Sequence, residues 1–122
     1  MKKVSSKQAK ENRELKKVYE KMANDREHYC TGCNRYDLPL SHSHIIPRSR
    51  RKDLVTDPRN ITYHCLGGVV PTSNGGVYQQ RKGCHQLWEG SLMDKSKLLD
   101  YHTNLEYIQE VDAEYYYILT EL

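Results

Sequence analysis

Four cysteines, split into two separated halves, constrain this chain more than any other feature. They occur as Cys30-x2-Cys33, then Cys65, then Cys84. A length of 122 residues predicts one domain, and only 37% of its residues are hydrophobic while 29% are charged. Phe is absent, so ten Tyr and one Trp supply the aromatic bulk. Burial offsets backbone entropy only marginally in so polar a domain, which gains from a staple. Four thiolates are the donor set of a closed tetrahedral site, and structural Zn²⁺ is the expected ion. The rival use of the Cys-x2-Cys pair is redox chemistry or a disulfide. Redox pairs normally open a helix in a βαβ unit, and nothing parallel-sheet-like flanks Cys30.

The first residues, Met1-Lys2-Lys3-Val4-Ser5-Ser6-Lys7, are basic but lead into no apolar segment. No run approaches the roughly 18 apolar residues that span a bilayer. The expectation is a soluble, cytoplasmic protein with no membrane partner and no small-molecule cofactor. In a reducing compartment, paired cysteines hold metal more often than they cross-link.

Residues about 5–24 read as a helix, with Ser5 or Ser6 as N-cap and strong helix formers inside. Leu15, Val18, Tyr19 and Met22 fall at i, i+3, i+4 and i+7, so the second half docks and the first is a solvated basic arm. Cys30-Thr31-Gly32-Cys33 reads as a metal knuckle, with Gly32 allowing a tight turn. A strand over about 40–46 stops at Pro47, a basic loop runs Arg48-Ser49-Arg50-Arg51-Lys52, and Asn60 to Cys65 alternates as a second strand. The 18 residues between Cys65 and Cys84 hold five of the seven glycines and read as loop, with a hairpin about Ser73-Asn74-Gly75-Gly76. A helix starts near Cys84 and runs through Trp88, a core anchor. One last helix spans about 103–121, with Leu105, Ile108, Asp112, Tyr115 and Leu119 as its packing stripe. The expected division is a basic helix or arm over 1–28, a stapled core over 29–93 and a packed helix over 94–122.

Interleaved with the cysteines are Ser43-His44-Ile45-Ile46-Pro47, Asn60 and His85, the last directly after Cys84. This order resembles the HNH nucleases of the ββα-metal class, over residues about 29–90. The resemblance implies an α+β fold: a ββα-metal (HNH) core with zinc knuckles, flanked by an N-terminal basic helix and a C-terminal acidic helix. It also implies a metal-dependent endonuclease hydrolysing phosphodiester bonds in DNA, of the kind common in phages and mobile elements. His44 would be the general base, Asn60 would orient it or the surrounding loop, and His85 would bind a catalytic divalent ion. The residue types suit the chemistry. A neutral imidazole takes a proton from water near neutral pH, and a divalent ion polarises the phosphate and stabilises the departing oxygen.

Two departures from the family pattern stand out. Many members carry Asp or another ligand just before the base, where this chain has Ser43. His42 fills the gap if residues 42 and 44 share a strand face, as do the amide oxygen of Asn60 or water. Oxygen ligands suit Mg²⁺ or Mn²⁺, and two or more imidazoles shift the preference towards Ni²⁺ or Zn²⁺. The long gap before Cys84 replaces a second Cys-x2-Cys, but loop closure grows only logarithmically and costs about 1–2 kcal/mol. His64 is a bystander in this reading, or a substitute for a cysteine.

Charge is uneven along the chain. Residues 1–23 carry eight Lys/Arg against three Glu, whereas residues 94–122 carry two Lys against seven acids. A basic front and middle suit a polyanion. Arg48, Arg50, Arg51 and Lys52, with Arg81 and Lys82 of the insertion, are the expected DNA contacts; phosphate contacts position a chain without reading sequence. RNA as substrate, in an RNA-directed nuclease or toxin, is equally compatible. A non-catalytic zinc-containing nucleic-acid-binding module is the other alternative, against which the intact His44, Asn60 and His85 argue.

Overall fold

Lys, Glu, Ala, Leu and Met fill the first element, a 20-residue helix α1 (Ser6–Asp25) that opens one residue after the expected start. The computed structural model describes residues 6–66, 68–71 and 78–121, and only the backbone along 68–71 and 78–81. Lys2, Lys3, Ser5 and the expected turn at 73–76 lie outside the described residues. After α1 the Cys30–Cys33 turn leads into β1 (Leu40–His44), which pairs antiparallel with β2 (Ile61–Cys65). The register sets Leu40 opposite Cys65, His42 opposite Tyr63 and His44 opposite Ile61. Strands β3 (Gly68–Pro71) and β4 (Tyr78–Arg81) pair with each other as a separate antiparallel ribbon. Then come helices α2 (Cys84–Trp88), α3 (Leu92–Lys95), α4 (Tyr101–Val111) and α5 (Ala113–Glu121). The fold is α+β. No helix among the described residues is long and apolar enough to cross a membrane.

Every residue of β2 is buried, because the β1–β2 ribbon is covered on both faces. On one side Leu15 and Met22 of α1 pack with Val55, Ile61 and Tyr63. A second cluster, of Ile45, Ile46, Trp88, Leu105 and Ile108, closes around Cys30, Cys65 and Cys84, and His64 on the other strand face meets the Trp88 ring. Arg26 ties the exit of α1 to the ribbon, donating to the carbonyls of Ile61 (2.6 Å) and Pro58 (2.7 Å).

Two sequence expectations change here. The single C-terminal helix is two, broken at Asp112, whose backbone leaves the helical region (φ −151°, ψ 75°). The Asp112 carboxylate accepts from the Tyr115 N–H (3.1 Å) and from Arg50 (3.0 and 3.3 Å), so this member of the supposed packing stripe is a polar joint. Gly32 does not supply a left-handed turn; that conformation belongs to Asn34 (φ 61°). What Gly32 allows is close approach, since a Cβ there would lie 2.9 Å from Cys84 Cβ and 3.0 Å from Leu98 Cδ2.

Candidate metal centre and histidine cleft

The knuckle turn after α1, the end of β2 and the start of α2 bring Cys30, Cys33, Cys65 and Cys84 together, with all four sulfurs within 4.8 Å of one another. Cys33 Sγ and Cys65 Sγ are 3.9 Å apart. A tetrahedral ion with metal–sulfur bonds of about 2.3 Å spaces its sulfurs about 3.8 Å apart, so the cluster needs little rearrangement to close on one. Backbone amides already serve the sulfurs: Cys65 N–H donates to Cys30 Sγ (3.2 Å) and Cys84 N–H to Cys65 Sγ (3.3 Å).

Cys30, Cys65 and Cys84 do not ionise equally. A hydrogen bond from Cys84 pulls Cys30 down to about 4, against burial and with help from the Cys65 amide. The same bond, with burial and the neighbouring sulfurs, pushes Cys84 far up, and Cys65 is raised chiefly by burial. One thiolate is easy and four are not, unless a cation balances them. The four cysteines thus form a possible structural metal site.

On the other side of Cys84 lies an open cleft of about 660 Å³, whose walls include His42, His44, Arg48, His85 and Glu89. His44 is half-buried at the end of β1. Its Nε2 lies 2.9 Å from the Val55 carbonyl, and because a carbonyl only accepts, Nε2 carries the proton. Nδ1 is therefore the basic atom of a neutral ring. Burial is the main cause that holds His44 below the ordinary imidazole range; the Val55 bond opposes it, and the Arg48 charge adds to it.

Asn60 is fully buried at the entrance to β2 and does not face the cleft wall. Its Oδ1 accepts from the Ile46 N–H (2.7 Å), while Nδ2 donates to the Ile46 (3.2 Å) and Leu54 (3.1 Å) carbonyls. It pins both ends of the loop that carries Val55, and through Val55 the orientation of His44.

His85 occupies the first turn of α2, where Gln86 Oε1 accepts from the Gly83 N–H (3.0 Å). Its Nε2 meets Glu89 Oε1 at 2.9 Å, and its Nδ1 lies 2.8 Å from both the Ser41 and Ser43 hydroxyls. Ser41 also donates to the His64 carbonyl (2.9 Å), so its hydroxyl can only accept from Nδ1, whereas the Ser43 hydroxyl can either accept from Nδ1 or donate to it. Strand alternation sets Ser41 and Ser43 on the face that meets His85 and turns His42, between them, to the other face. His42 is accordingly stacked on Tyr19 (centroids 3.7 Å apart, 14° between planes) and leans on Tyr63.

No family model, curated protein or solved structure matches this chain.

The basic loop divides by function. Arg50 is clamped to Asp112 and lies over the Tyr115 ring, 4.8 Å from its centroid. Arg51 chelates Asp53 (2.8 and 2.7 Å) and donates to the Val111 carbonyl (2.9 Å), so both side chains anchor the α4–α5 joint. Arg48 stays at the cleft, 45% exposed and paired with Glu11 of α1 (2.9 Å). Lys52 is exposed, and Lys82 is 59% exposed, 3.8 Å from Asp94. The Arg81 side chain lies outside the described residues.

Two features escaped the sequence reading. Glu89 follows His85 by four residues on one helix face, a spacing that is visible in advance. Asp100 was not visible: it accepts from the fully buried His64 (2.9 Å) and from Thr31 (2.7 Å), across 36 and 69 residues of sequence. That bond makes His64 a bridge between β2 and the turn before α4.

Proposed function

We propose that this chain is a metal-dependent endonuclease of the HNH type, hydrolysing phosphodiester bonds in DNA, with structural zinc on its four cysteines. One observation carries the reading: a half-buried neutral His44, its Nε2 fixed by a carbonyl, shares an open cleft with His85. The succession of β1, β2 and α2, with His44 ending the first strand, Asn60 opening the second and His85 opening the helix, supports a ββα-metal core. A basic Nδ1 in a water-accessible cleft suits proton removal from an attacking water.

His85 Nε2 and Glu89 together offer an imidazole and a carboxylate, a donor pair that fits Mg²⁺, Mn²⁺ or Ni²⁺ with water in the remaining positions. Such an ion, when bound, neutralises the phosphate and the departing 3′ oxygen. Ser43, in this reading, is no failed ligand. With Ser41 it holds His85 from the other ring nitrogen, the role that hydrogen-bonding neighbours of metal ligands usually play. Arg48, Lys52 and Lys82 remain available for flanking phosphates.

The test is nicking of supercoiled plasmid by the purified chain with Mg²⁺, Mn²⁺ or Ni²⁺, against a chelator control, with a matched RNA alongside. Cleavage that needs the ion and vanishes in His44→Ala is the expected result. Intact plasmid with all three ions would remove the proposal.

A further inference from the structure

Lys95 is the only buried lysine among the described residues. It closes the short helix α3, yet only 7% of its surface is exposed. Lysine is almost never buried this far without an acid partner. Among the described residues Lys95 has none: the neighbouring Asp94 pairs with Lys82 (3.8 Å) and Lys97 (3.7 Å). Its ammonium donates to the Gly90 carbonyl (2.8 Å), and the Trp88 ring lies 5.4 Å away, centroid to Nζ. An ammonium has three donors, so two are left without a protein acceptor. Burial accordingly lowers its pKa, while the Asp94 and Glu89 charges oppose the shift.

The side chain also forms part of the wall of the cleft that holds His44, Arg48 and His85. The geometry points to Lys95 as a built-in anchor for an anionic oxygen within this cleft, the ligand being a phosphodiester of the nucleic-acid backbone next to the scissile bond. The assignment rests on the nuclease reading above. It separates two classes of cation. Arg48 is exposed and paired with Glu11, so it contributes little beyond steering. Lys95 is desolvated and held by Gly90 and Trp88 before any substrate arrives, so a hydrogen bond from it to an anion is worth more than one made in water.

The plain alternative is a structural lysine that caps the end of α2 and packs on Trp88. The two roles come apart in Lys95→Met, which keeps most of the packing and loses the charge, and Lys95→Arg, which keeps the charge. Binding to a short labelled duplex is measured over a salt series in the cleavage-inactive His44→Ala background, and cleavage in the wild-type background. Lys95→Met is expected to weaken binding about tenfold and flatten the log–log salt dependence by about one unit. It should raise KM more than it lowers kcat, with metal content and melting preserved, and Lys95→Arg should recover most of the affinity. An unchanged affinity and slope in a folded Lys95→Met overturns the anchor. Should Lys95→Met fail to fold, the Lys95 side-chain resonance of the cleavage-inactive His44→Ala chain decides. It should move on addition of the duplex, and a resonance that stays put overturns the proposal. A wild-type chain that neither binds nor cuts the duplex removes the nuclease reading itself, a result distinguishable from a wild type that cuts and a Lys95→Met that cuts equally well.

Discussion

Cys84 and His85 are adjacent in sequence and belong to opposite kinds of site. The cysteine cluster faces inward: Cys30 and Cys65 are fully buried, amides serve their sulfurs, and core side chains surround them. The histidine cleft is open, and its groups are held by neighbours. A closed site stores stability; an open one leaves a position for chemistry. Helix α2 serves both sites, and β1, which carries His44, is paired along its length with β2, which carries Cys65, so whatever fixes the cluster also aims the cleft. The comparison predicts that damage at the cluster destroys both sites, whereas damage at the cleft leaves the cluster intact.

The largest effect is expected at the cluster, from removing the proposed zinc or one of its ligands. Cys30→Ser, or treatment with a strong chelator, should abolish cooperative melting, since structural ions in such sites contribute on the order of 10 kcal/mol of folding free energy. Metal analysis of protein purified without added zinc should find about one equivalent on the four-thiolate set. A metal-free chain that still melts cooperatively would break the comparison at its base.

His44→Ala should act on one side only. Loss of a general base costs about 10²–10⁴ in rate, and melting and metal content should match the wild type. His85→Ala should cut activity too, with partial rescue at higher concentrations of the divalent ion, because it weakens ion binding and leaves the base in place. Equal turnover by wild type and His44→Ala would remove the assigned base.

Asn60→Ala sharpens the comparison, because Asn60 belongs to neither site. It makes two buried hydrogen bonds to Ile46 and a part-buried one to Leu54. Their loss leaves buried backbone groups unpaired and should cost about 2–4 kcal/mol, read as a lower denaturation midpoint. Activity should fall at temperatures where the variant is still folded, because the loop that carries Val55 no longer fixes His44. A stable variant with full activity would show that the loop needs no pin.

The parts of the molecule that could be read from sequence are those in which one local pattern decides the outcome. Helix α1, both strands of the first ribbon and α2 fall within a residue or two of their expected bounds, because periodicity, proline and the cysteine turn act over short distances. The cysteine cluster was legible because thiol pairs in a polar chain have few other uses. Asp112 misled because its helical spacing hides a side chain that competes for backbone N–H groups and recruits two arginines from far away. Arg50 and Arg51 misled for the same reason: four adjacent cations read as one basic surface, while the fold turns two of them onto Asp112, Asp53 and Val111. Glu89 lay in plain view at four residues from His85. The Lys95 environment could not be foreseen, since burial of a lysine depends on where Trp88 and Gly90 end up.

A smaller effect concerns pH. On the proposed mechanism only neutral His44 can accept a proton, so activity should rise with pH through its pKa. Burial lowers that pKa, which places the acid limb of kcat/KM below the ordinary imidazole value of about 6.5. The sign for stability is the same: with the folded pKa depressed, the His44 contribution is complete above the unfolded value and is lost as pH falls through the folded one. Val55 acts only through its backbone, so Arg48→Gln is the informative variant. It removes a charge that lowers the His44 pKa and should move the limb upward by a fraction of a unit. A limb that moves downward would contradict the assignment.

The smallest effect tests whether α1 is merely a neighbour of the cleft. Glu11 holds Arg48 at 2.9 Å with 24% of its side chain exposed, and Tyr19, two turns on, stacks against His42. On the nuclease reading, the helix therefore places a carboxylate where a substrate phosphate would compete for the same guanidinium. Glu11→Gln removes one negative charge from the cleft and frees Arg48 without disturbing Leu15 or Met22. An ion pair this exposed is worth about 0.2–1 kcal/mol, so duplex affinity should rise by no more than about fivefold, mostly at low salt where unscreened charges act furthest. Removing the Glu11 charge also lifts a cause that raises the His44 pKa, so the acid limb should shift slightly down in the same variant. Tighter binding together with that shift would make α1 a wall of the cleft; unchanged binding at low salt would make it a clamp on the fold alone.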